Sequence, residues 1–212
     1  MLDYRLLHEY LWSLSHTSLA QKTVSTVATE LITHYRIKTD ITLIQTPLIE
    51  QPFVIGIKKI IVALPLKKYT QKELEFILKH EFAHIKHHDS LLKLFLEFLD
   101  VLYWWNPFLH KLIIEIHKLL EIRCDLFVSK NLPEQEKIDY LTLLLNESLS
   151  LKKDSQFHSL ALTTKSKSFL IQRFNAILYH KTISNLYLIS FSAIIIILAA
   201  ILFLLQIILF FN

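Results

Sequence analysis

Two kinds of apolar spacing divide the first part of the chain. Within residues 1–36, apolar residues such as Val27 and Leu31 recur at helical spacing, which predicts a helical segment. Short runs rich in β-branched residues follow at 41–44 and 60–64, and such runs predict strands. Because the later periodicity is again helical, the pattern predicts a mainly α fold with a small β-sheet, of the α+β class.

Gly56 is the only glycine of the chain, and it lies just before the second β-branched run. A glycine between two extended runs indicates a turn or a close approach of two backbone segments. Chance placement explains a single glycine equally well, so the sequence leaves both interpretations open.

A strong helix signal begins at residue 70. Thr70 and Glu73 have the spacing of a capping box, in which each side chain accepts a hydrogen bond from the other residue's backbone. Leu74 and Ile77 then follow at helical spacing, so a helix is predicted over residues 71–88.

The next apolar run, 91–101, contains three charged residues and therefore does not have the composition of a membrane span. It suits a core helix or a helix that lies at the membrane interface. Asn106 and Pro107 then form a helix start, with asparagine as the cap and proline in the first turn. The helix that they open is predicted to reach about Lys130.

The C-terminal run 183–212 carries no charged residue. It exceeds the roughly 20 apolar residues that cross a bilayer, and a transmembrane helix is predicted from about 186 to 210, within the segment 184–211. Basic residues precede this run and none follows it; they are Lys165, Lys167, Arg173 and Lys181. The positive-inside rule therefore predicts a single-pass protein of the cell membrane, with residues 37–181 forming a cytoplasmic domain.

Composition supports a membrane-associated chain. Hydrophobic residues make up 52% of the sequence, and the mean hydropathy is +0.38. The lone cysteine, Cys124, excludes an internal disulfide and suits a reducing compartment. The formal net charge of +4 is assigned to the membrane-proximal surface, where lipid headgroups attract it, because no basic stripe interleaved with aromatic residues indicates direct nucleic-acid binding.

His80, Glu81 and His84 form the pattern H-E-x-x-H inside the predicted helix 71–88. Residues four apart on a helix face the same side, so both imidazoles could bind one Zn²⁺ ion while Glu81 reaches a water bound to it. Hydrolysis by zinc needs these parts: neutral nitrogen ligands, an open coordination position and a carboxylate that accepts a proton.

Catalytic zinc sites generally have a third protein ligand. Glu121 and Asp125 are four residues apart on the helix that Asn106 and Pro107 open, so packing of that helix against the first would bring a carboxylate to the metal. Three histidines remain rival ligands; they are His117, His87 and His88.

Five motifs in series resemble the BlaR/MecR-type family of integral-membrane metallopeptidases. The motifs occupy residues 52–57, 60–65, 80–89, 104–108 and 121–125. The resemblance implies a gluzincin-like peptidase domain in which His80, His84 and Glu121 bind zinc and Glu81 is the general base. It also implies that Asp125 orients a ligand histidine.

The resemblance has implications for the substrate as well. The strand of Ile60, Ile61, Val62, Ala63 and Leu64 would be the sheet edge that accepts an extended peptide by β-pairing. Trp104 and Trp105 would be packing residues or interfacial anchors. The group that stabilises the oxyanion is unassigned, and its candidates are Tyr140, His158 and Arg173.

Sensors of this family have several membrane spans before the peptidase domain and an extracellular penicillin-binding domain after it. The resemblance does not cover these parts, so we do not expect this chain to sense a β-lactam directly. We therefore expect an endopeptidase that cleaves a cytoplasmic or membrane-adjacent protein, such as a transcriptional repressor or the chain itself. Alternatives are a non-catalytic, metal-bound regulatory module that needs a separate sensor protein, and a housekeeping membrane protease of the HtpX or CAAX-protease kind.

Overall fold

A computed structural model describes residues 22–154 and 160–179. Six helices and three strands occupy these ranges: α1 Lys22–Tyr35, β1 Asp40–Thr46, β2 Phe53–Ile55, β3 Lys59–Pro65, α2 Gln71–Lys86, α3 Asp89–Leu102, α4 Pro107–Ser129, α5 Glu134–Asp154 and α6 Leu160–Leu178. The mainly helical fold with a small sheet is thus confirmed. The chain divides into two units at Leu178, and the described residues belong to the first unit apart from Tyr179.

The sheet has the strand order β1-β3-β2. β3 pairs in parallel with β1 and antiparallel with β2, so hydrogen bonds occupy both of its sides. This order corrects the expectation that Ile60, Ile61, Val62, Ala63 and Leu64 form an edge strand. All five are buried in the centre of the sheet, and the edge on that side is β2.

Gly56 makes the turn that joins β2 to β3. Its φ of +109° lies in a region that L side chains rarely adopt. A Cβ atom at this position would overlap the carbonyl oxygen of Lys59. Both the turn and the close backbone approach are therefore present, and the glycine is not a chance placement.

Helix α2 begins with the predicted capping box. Thr70 accepts from the backbone of Glu73, and the Glu73 carboxylate accepts from the backbone of Thr70. The helix ends at Lys86, two residues before the predicted end, because His88 adopts the left-handed conformation with φ of 56°. This residue turns the chain, and α3 starts at once with Asp89.

One hydrophobic core joins the helices to a face of the sheet. α1 contributes Val24, Val27, Ala28 and Leu31, and these residues pack with β3, α2 and α5. Among the described residues, Tyr140 of α5 is the largest side chain that is almost fully buried. A smaller cluster covers the opposite face of the sheet and consists of Ile44, Ile55, Ile61 and Ala63. The core thus fixes α2 against the sheet and sets the direction of its histidines.

Within residues 22–154 and 160–179, no helix combines the length and apolar character needed to cross a bilayer. The predicted span 186–210 lies outside the described residues, as do positions 1–21. Helix α3, for which the sequence left a core or an interfacial position open, is not a core helix: only Asp89 and Leu96 of it are buried.

Candidate metal centre

Helix α2 supplies the three residues of the H-E-x-x-H pattern. His80 and His84 lie one helical turn apart with ring centroids 5.0 Å from each other. Both imidazoles and the carboxylate of Glu81 are buried. Since α2 is fixed between the core and α4, these polar side chains line a cleft instead of the open surface.

Helix α4 brings Glu121 to the two histidines. One carboxylate oxygen lies 3.3 Å from Nε2 of His80, and the other lies 3.6 Å from Nε2 of His84. Ligands held at about 2.0–2.1 Å from one tetrahedral zinc ion stand roughly 3.3–3.4 Å apart. The three ligand atoms lie within 4.8 Å of one another, so their spacing fits a single zinc ion.

The rival histidines do not join this group. His87 directs its Nδ1 to the backbone oxygen of Ala83. His88 makes the left-handed turn and is exposed. His117 has a buried Nε2 atom without a hydrogen-bond partner in the described part of the chain, but it is outside the cluster that could hold a metal.

The other nitrogen of His80 faces a polar network behind the cleft. Nδ1 lies 3.3 Å from Asp125 and 3.2 Å from the Tyr140 hydroxyl. Tyr140 donates to Asp125 at 2.8 Å, and Arg173 of α6 donates to both carboxylate oxygens at 2.6 and 2.7 Å. This network leaves Nε2 of His80 free to face the cleft, as a ligand requires.

His84 has a matching network that the sequence reasoning missed. Its Nδ1 lies 2.7 Å from a carboxylate oxygen of Asp89, and Arg123 donates to the other oxygen. The thiol of Cys124 lies 3.3 Å from the same Nδ1. Asp89 is 1% exposed, so a buried carboxylate with a cationic partner holds each of the two imidazoles.

Two of the candidates for stabilising the oxyanion are described, and both belong to the Asp125 network. Tyr140 and Arg173 line the cleft, yet their hydrogen bonds are directed to Asp125. His158 lies outside the described residues.

The carboxylates change the pKa of both histidines in the metal-free protein. Burial alone would lower the pKa of His80, but hydrogen bonds to Asp125 and Glu121 outweigh it and raise the pKa to about 9. For His84, burial is likewise outweighed, mainly by the hydrogen bond to Asp89, and the pKa rises to about 12. The pocket therefore favours positive charge, which suits a divalent cation as well as protons.

The pKa values of the carboxylates shift in the complementary direction. Burial would raise the pKa of Glu121, yet its contacts with His80 and His84 hold the pKa well below the ordinary value. Asp125 likewise has a lowered pKa because the hydrogen bonds from Arg173 and His80 outweigh its burial. Both groups are thus carboxylates at neutral pH. Glu81 differs, since burial raises its pKa.

The cleft extends to both sides of Glu121. On one side it is lined by Tyr140, Glu147 and Arg173, and on the other by Ser90 and Lys93. Glu81 lines both parts. Lys93 lies 3.5 Å from a Glu121 oxygen at the cleft margin. The edge strand β2 borders the second part through Phe53 and Val54.

The model of the BlaR1 peptidase M56 family matches residues 1–177. The chain is 32% identical over 103 residues to the regulatory protein BlaR1 of Bacillus licheniformis, which covers 48% of this chain and 17% of that protein. It is 30% identical over 115 residues to the methicillin resistance mecR1 protein of Staphylococcus aureus, covering 53% of this chain and 20% of the relative. The match thus spans only about a fifth of these relatives.

Proposed function

This chain belongs to the BlaR1 peptidase M56 family, and from that premise we propose that it is a membrane-anchored, zinc-dependent endopeptidase. The supporting observation is the convergence of ligand atoms from His80, His84 and Glu121 within 4.8 Å of one another. Glu81 is a buried carboxylate beside this group. A site that only bound metal would have no use for a base in that position, so the arrangement favours catalysis.

In this proposal each residue of the centre has a separate role. His80, His84 and Glu121 would hold the ion, with Asp125 and Asp89 orienting the two imidazoles. When bound, zinc supplies a Lewis acid for the scissile carbonyl and a water of lowered pKa. Glu81 would accept the proton of the attacking water and return it to the amine that leaves.

The substrate backbone pairs with β2 in this proposal. β3 has no free side, whereas β2 is hydrogen-bonded to β3 alone among the described strands. Phe53 and Val54 of β2 border the part of the cleft that Glu81 and His84 also line. An extended peptide added to this edge would cross the metal centre, and its main chain would supply affinity independent of sequence.

The biological substrate is proposed to be a regulatory protein. Two relatives are named as a regulatory protein and a methicillin resistance protein, so a transcriptional repressor or the chain itself is a suitable target. The uncharged run 186–210 would anchor the chain in the cell membrane, with residues 37–181 in the cytoplasm.

Replacement of Glu81 by Gln tests the proposal directly. Glu81→Gln removes the base but none of the three ligands, so zinc content should stay near one ion per chain while cleavage is lost. Cells that produce the intact chain should contain new protein termini that are absent from cells with the Glu81→Gln form. Mass spectrometry of these termini identifies the substrate.

The control is Glu134→Gln, an exposed carboxylate paired with Lys137 on α5, which should leave the termini unchanged. Cleavage that survives Glu81→Gln would contradict the assigned base. If cells with the intact chain and cells with the Glu81→Gln form contain the same protein termini, and both proteins bind zinc, the result would favour the non-catalytic regulatory module.

A further inference from the structure

Helix α3 and the start of α4 form a helical hairpin with an exposed apolar surface. We call this the hairpin surface, and its residues are Leu91, Leu94, Phe95, Phe98, Val101, Leu102, Trp104, Trp105, Phe108 and Leu112. The exposure is large: Phe98 is 60% exposed, Trp104 79% and Phe108 82%. Single exposed apolar residues are ordinary, but a continuous group of this size indicates an interaction site.

The polarity of α3 is the reverse of that in a water-exposed helix. Its four charged residues recur at helical spacing on one side; three of them contact other parts of the protein, and Glu97 at the margin of that side is exposed. Asp89 contacts His84, Lys93 contacts Glu121, and Asp100 lies 3.1 Å from His110 of α4. The apolar side therefore faces outward, although an amphipathic helix in water turns that side to the core.

We propose that the hairpin surface lies in the interfacial layer of a lipid bilayer and contacts lipid acyl chains. Interfaces between proteins are only about 56–58% apolar and have a polar rim. The outward side of α3, from Leu91 through Leu94 and Phe98 to Leu102, contains no polar side chain, which suits lipid because hydrocarbon cannot satisfy polar groups.

The aromatic residues at the end of the hairpin support the same occupant. Tyr103, Trp104 and Trp105 connect α3 to α4 and contact one another through their rings. Tyr and Trp accumulate at membrane interfaces because an apolar ring and a polar N–H or O–H suit the headgroup layer. This contact would be additional to the proposed anchor at 186–210 and does not depend on peptidase activity.

Bilayer contact would place the cleft close to the membrane. Asp89, the first residue of α3, bonds to His84 of the metal centre. α3 has 14 residues, so a helix about 21 Å long, at 1.5 Å per residue, separates Asp89 from the aromatic end of the hairpin. The inference thus favours substrates whose cleavable segment lies near the bilayer surface.

Tryptophan fluorescence of the full chain in nanodiscs tests the proposal. In a Trp12→Phe background, Trp104 and Trp105 are the remaining tryptophans. Phosphatidylcholine brominated on its acyl chains quenches only tryptophan that contacts them. We expect loss of most of the emission in brominated discs relative to unbrominated discs, and weak quenching by aqueous acrylamide.

A matched control carries its tryptophan on α5. In this variant Trp12, Trp104 and Trp105 are replaced by Phe, and Ile138 by Trp. Ile138 is 52% exposed. Its neighbour Asp139 pairs with Lys72 at the start of α2, whereas α3 follows the opposite end of α2. Position 138 is therefore away from the hairpin surface. Its emission should be insensitive to brominated lipid and accessible to acrylamide.

Three results would overturn the inference. The first is acrylamide quenching of Trp104 and Trp105 with no effect of bromine. The second is protection from both quenchers that depends on the number of chains per disc, since a second copy of the chain would then cover the surface. The third is equal bromine quenching of the control, because contact would not be specific to the hairpin. Far-UV circular dichroism of each variant verifies that the helical fold is retained.

Discussion

At the scale of single residues, the two histidines of the candidate metal centre have equivalent partners. His80 is paired with Asp125 and Arg173, and His84 with Asp89 and Arg123. In each case the carboxylate fixes the ring nitrogen that faces away from the cleft and increases the basicity of the other nitrogen. The arginine holds the carboxylate in place, so both imidazoles are oriented before a metal arrives.

Asp89→Asn tests whether this orientation matters for metal binding. The amide oxygen can still accept from Nδ1 of His84, but the negative charge is lost, so His84 becomes a weaker ligand. We expect zinc affinity to fall by roughly 10-fold or more, the usual effect of changing such a partner. Competition with a chromophoric chelator measures it.

Asp139→Asn is the matched control for this substitution. Asp139 is an exposed carboxylate that pairs with Lys72, and its loss should leave zinc affinity unchanged. If Asp89→Asn binds zinc as tightly as the unmodified chain, then Asp89 only supports packing around Arg123 and has no influence on His84 as a ligand.

Sequence reasoning identified Asp125 but not Asp89, and the reason is local geometry. Asp125 follows Glu121 at helical spacing, so its side of α4 could be predicted. Asp89 follows His84 by five residues, and on an unbroken helix it would point about 140° away from His84. His88 adopts the left-handed conformation, and this turn brings the Asp89 carboxylate back to His84. The sequence signal for such a turn is weak: histidine is enriched among residues with positive φ.

At the scale of elements, the main error of the sequence-based prediction was to place the strand at residues 60–64 at the edge of the sheet. Residues 60–64 are apolar without alternation, a pattern that indicates burial on both faces of a sheet and so an interior strand. The edge strand on that side of the sheet is β2, which is only three residues long. Its turn to β3 depends on Gly56.

Gly56→Ala should therefore destabilise the sheet edge. The new Cβ would overlap the Lys59 carbonyl, and φ of +109° is strained for alanine. Strain of this kind costs about 1–3 kcal/mol, and in a chain of this size each kcal/mol lowers Tm by roughly 2–4 °C. Thermal unfolding of the purified full chain measures the change.

Lys58→Ala provides the comparison within the same turn. Lys58 is exposed, and its truncation should shift Tm by less than a degree or two, as surface substitutions generally do. An unchanged Tm for Gly56→Ala would mean that the turn relaxes without strain, and the glycine would then have no structural requirement at this position.

At the scale of the whole molecule, the candidate centre joins parts that the sequence could not place together by itself. His80 and Glu121 are 41 residues apart, and their approach depends on how α2 packs against α4. Helical spacing fixed which residues share a side of each helix, and only the family resemblance selected Glu121 over His117. The reversed polarity of α3 was likewise invisible to periodicity, which does not reveal which side faces the protein.

A metal bound by α2 and α4 should stabilise the fold, and the effect should depend on pH. Ligand binding stabilises the folded state by about 1.4 kcal/mol for each tenfold excess over Kd. In the metal-free protein, the raised pKa of His80, about 9 against an ordinary 6.5, contributes stability that is present below pH 6.5 and lost as pH rises through 9. Zinc must displace the protons of His80 and His84, so its stabilisation should increase from pH 6.5 to 9.

Thermal unfolding with fixed zinc and with a chelator, at several pH values, measures this difference. Displacement of one proton changes the apparent affinity tenfold per pH unit, and displacement of two changes it by about 100-fold. Glu121→Ala should remove most of the zinc effect at every pH because it deletes a ligand, whereas His117→Ala should retain it. The reverse result would transfer the third-ligand role to His117, and a zinc effect independent of pH would show that the imidazoles are already neutral in the metal-free fold.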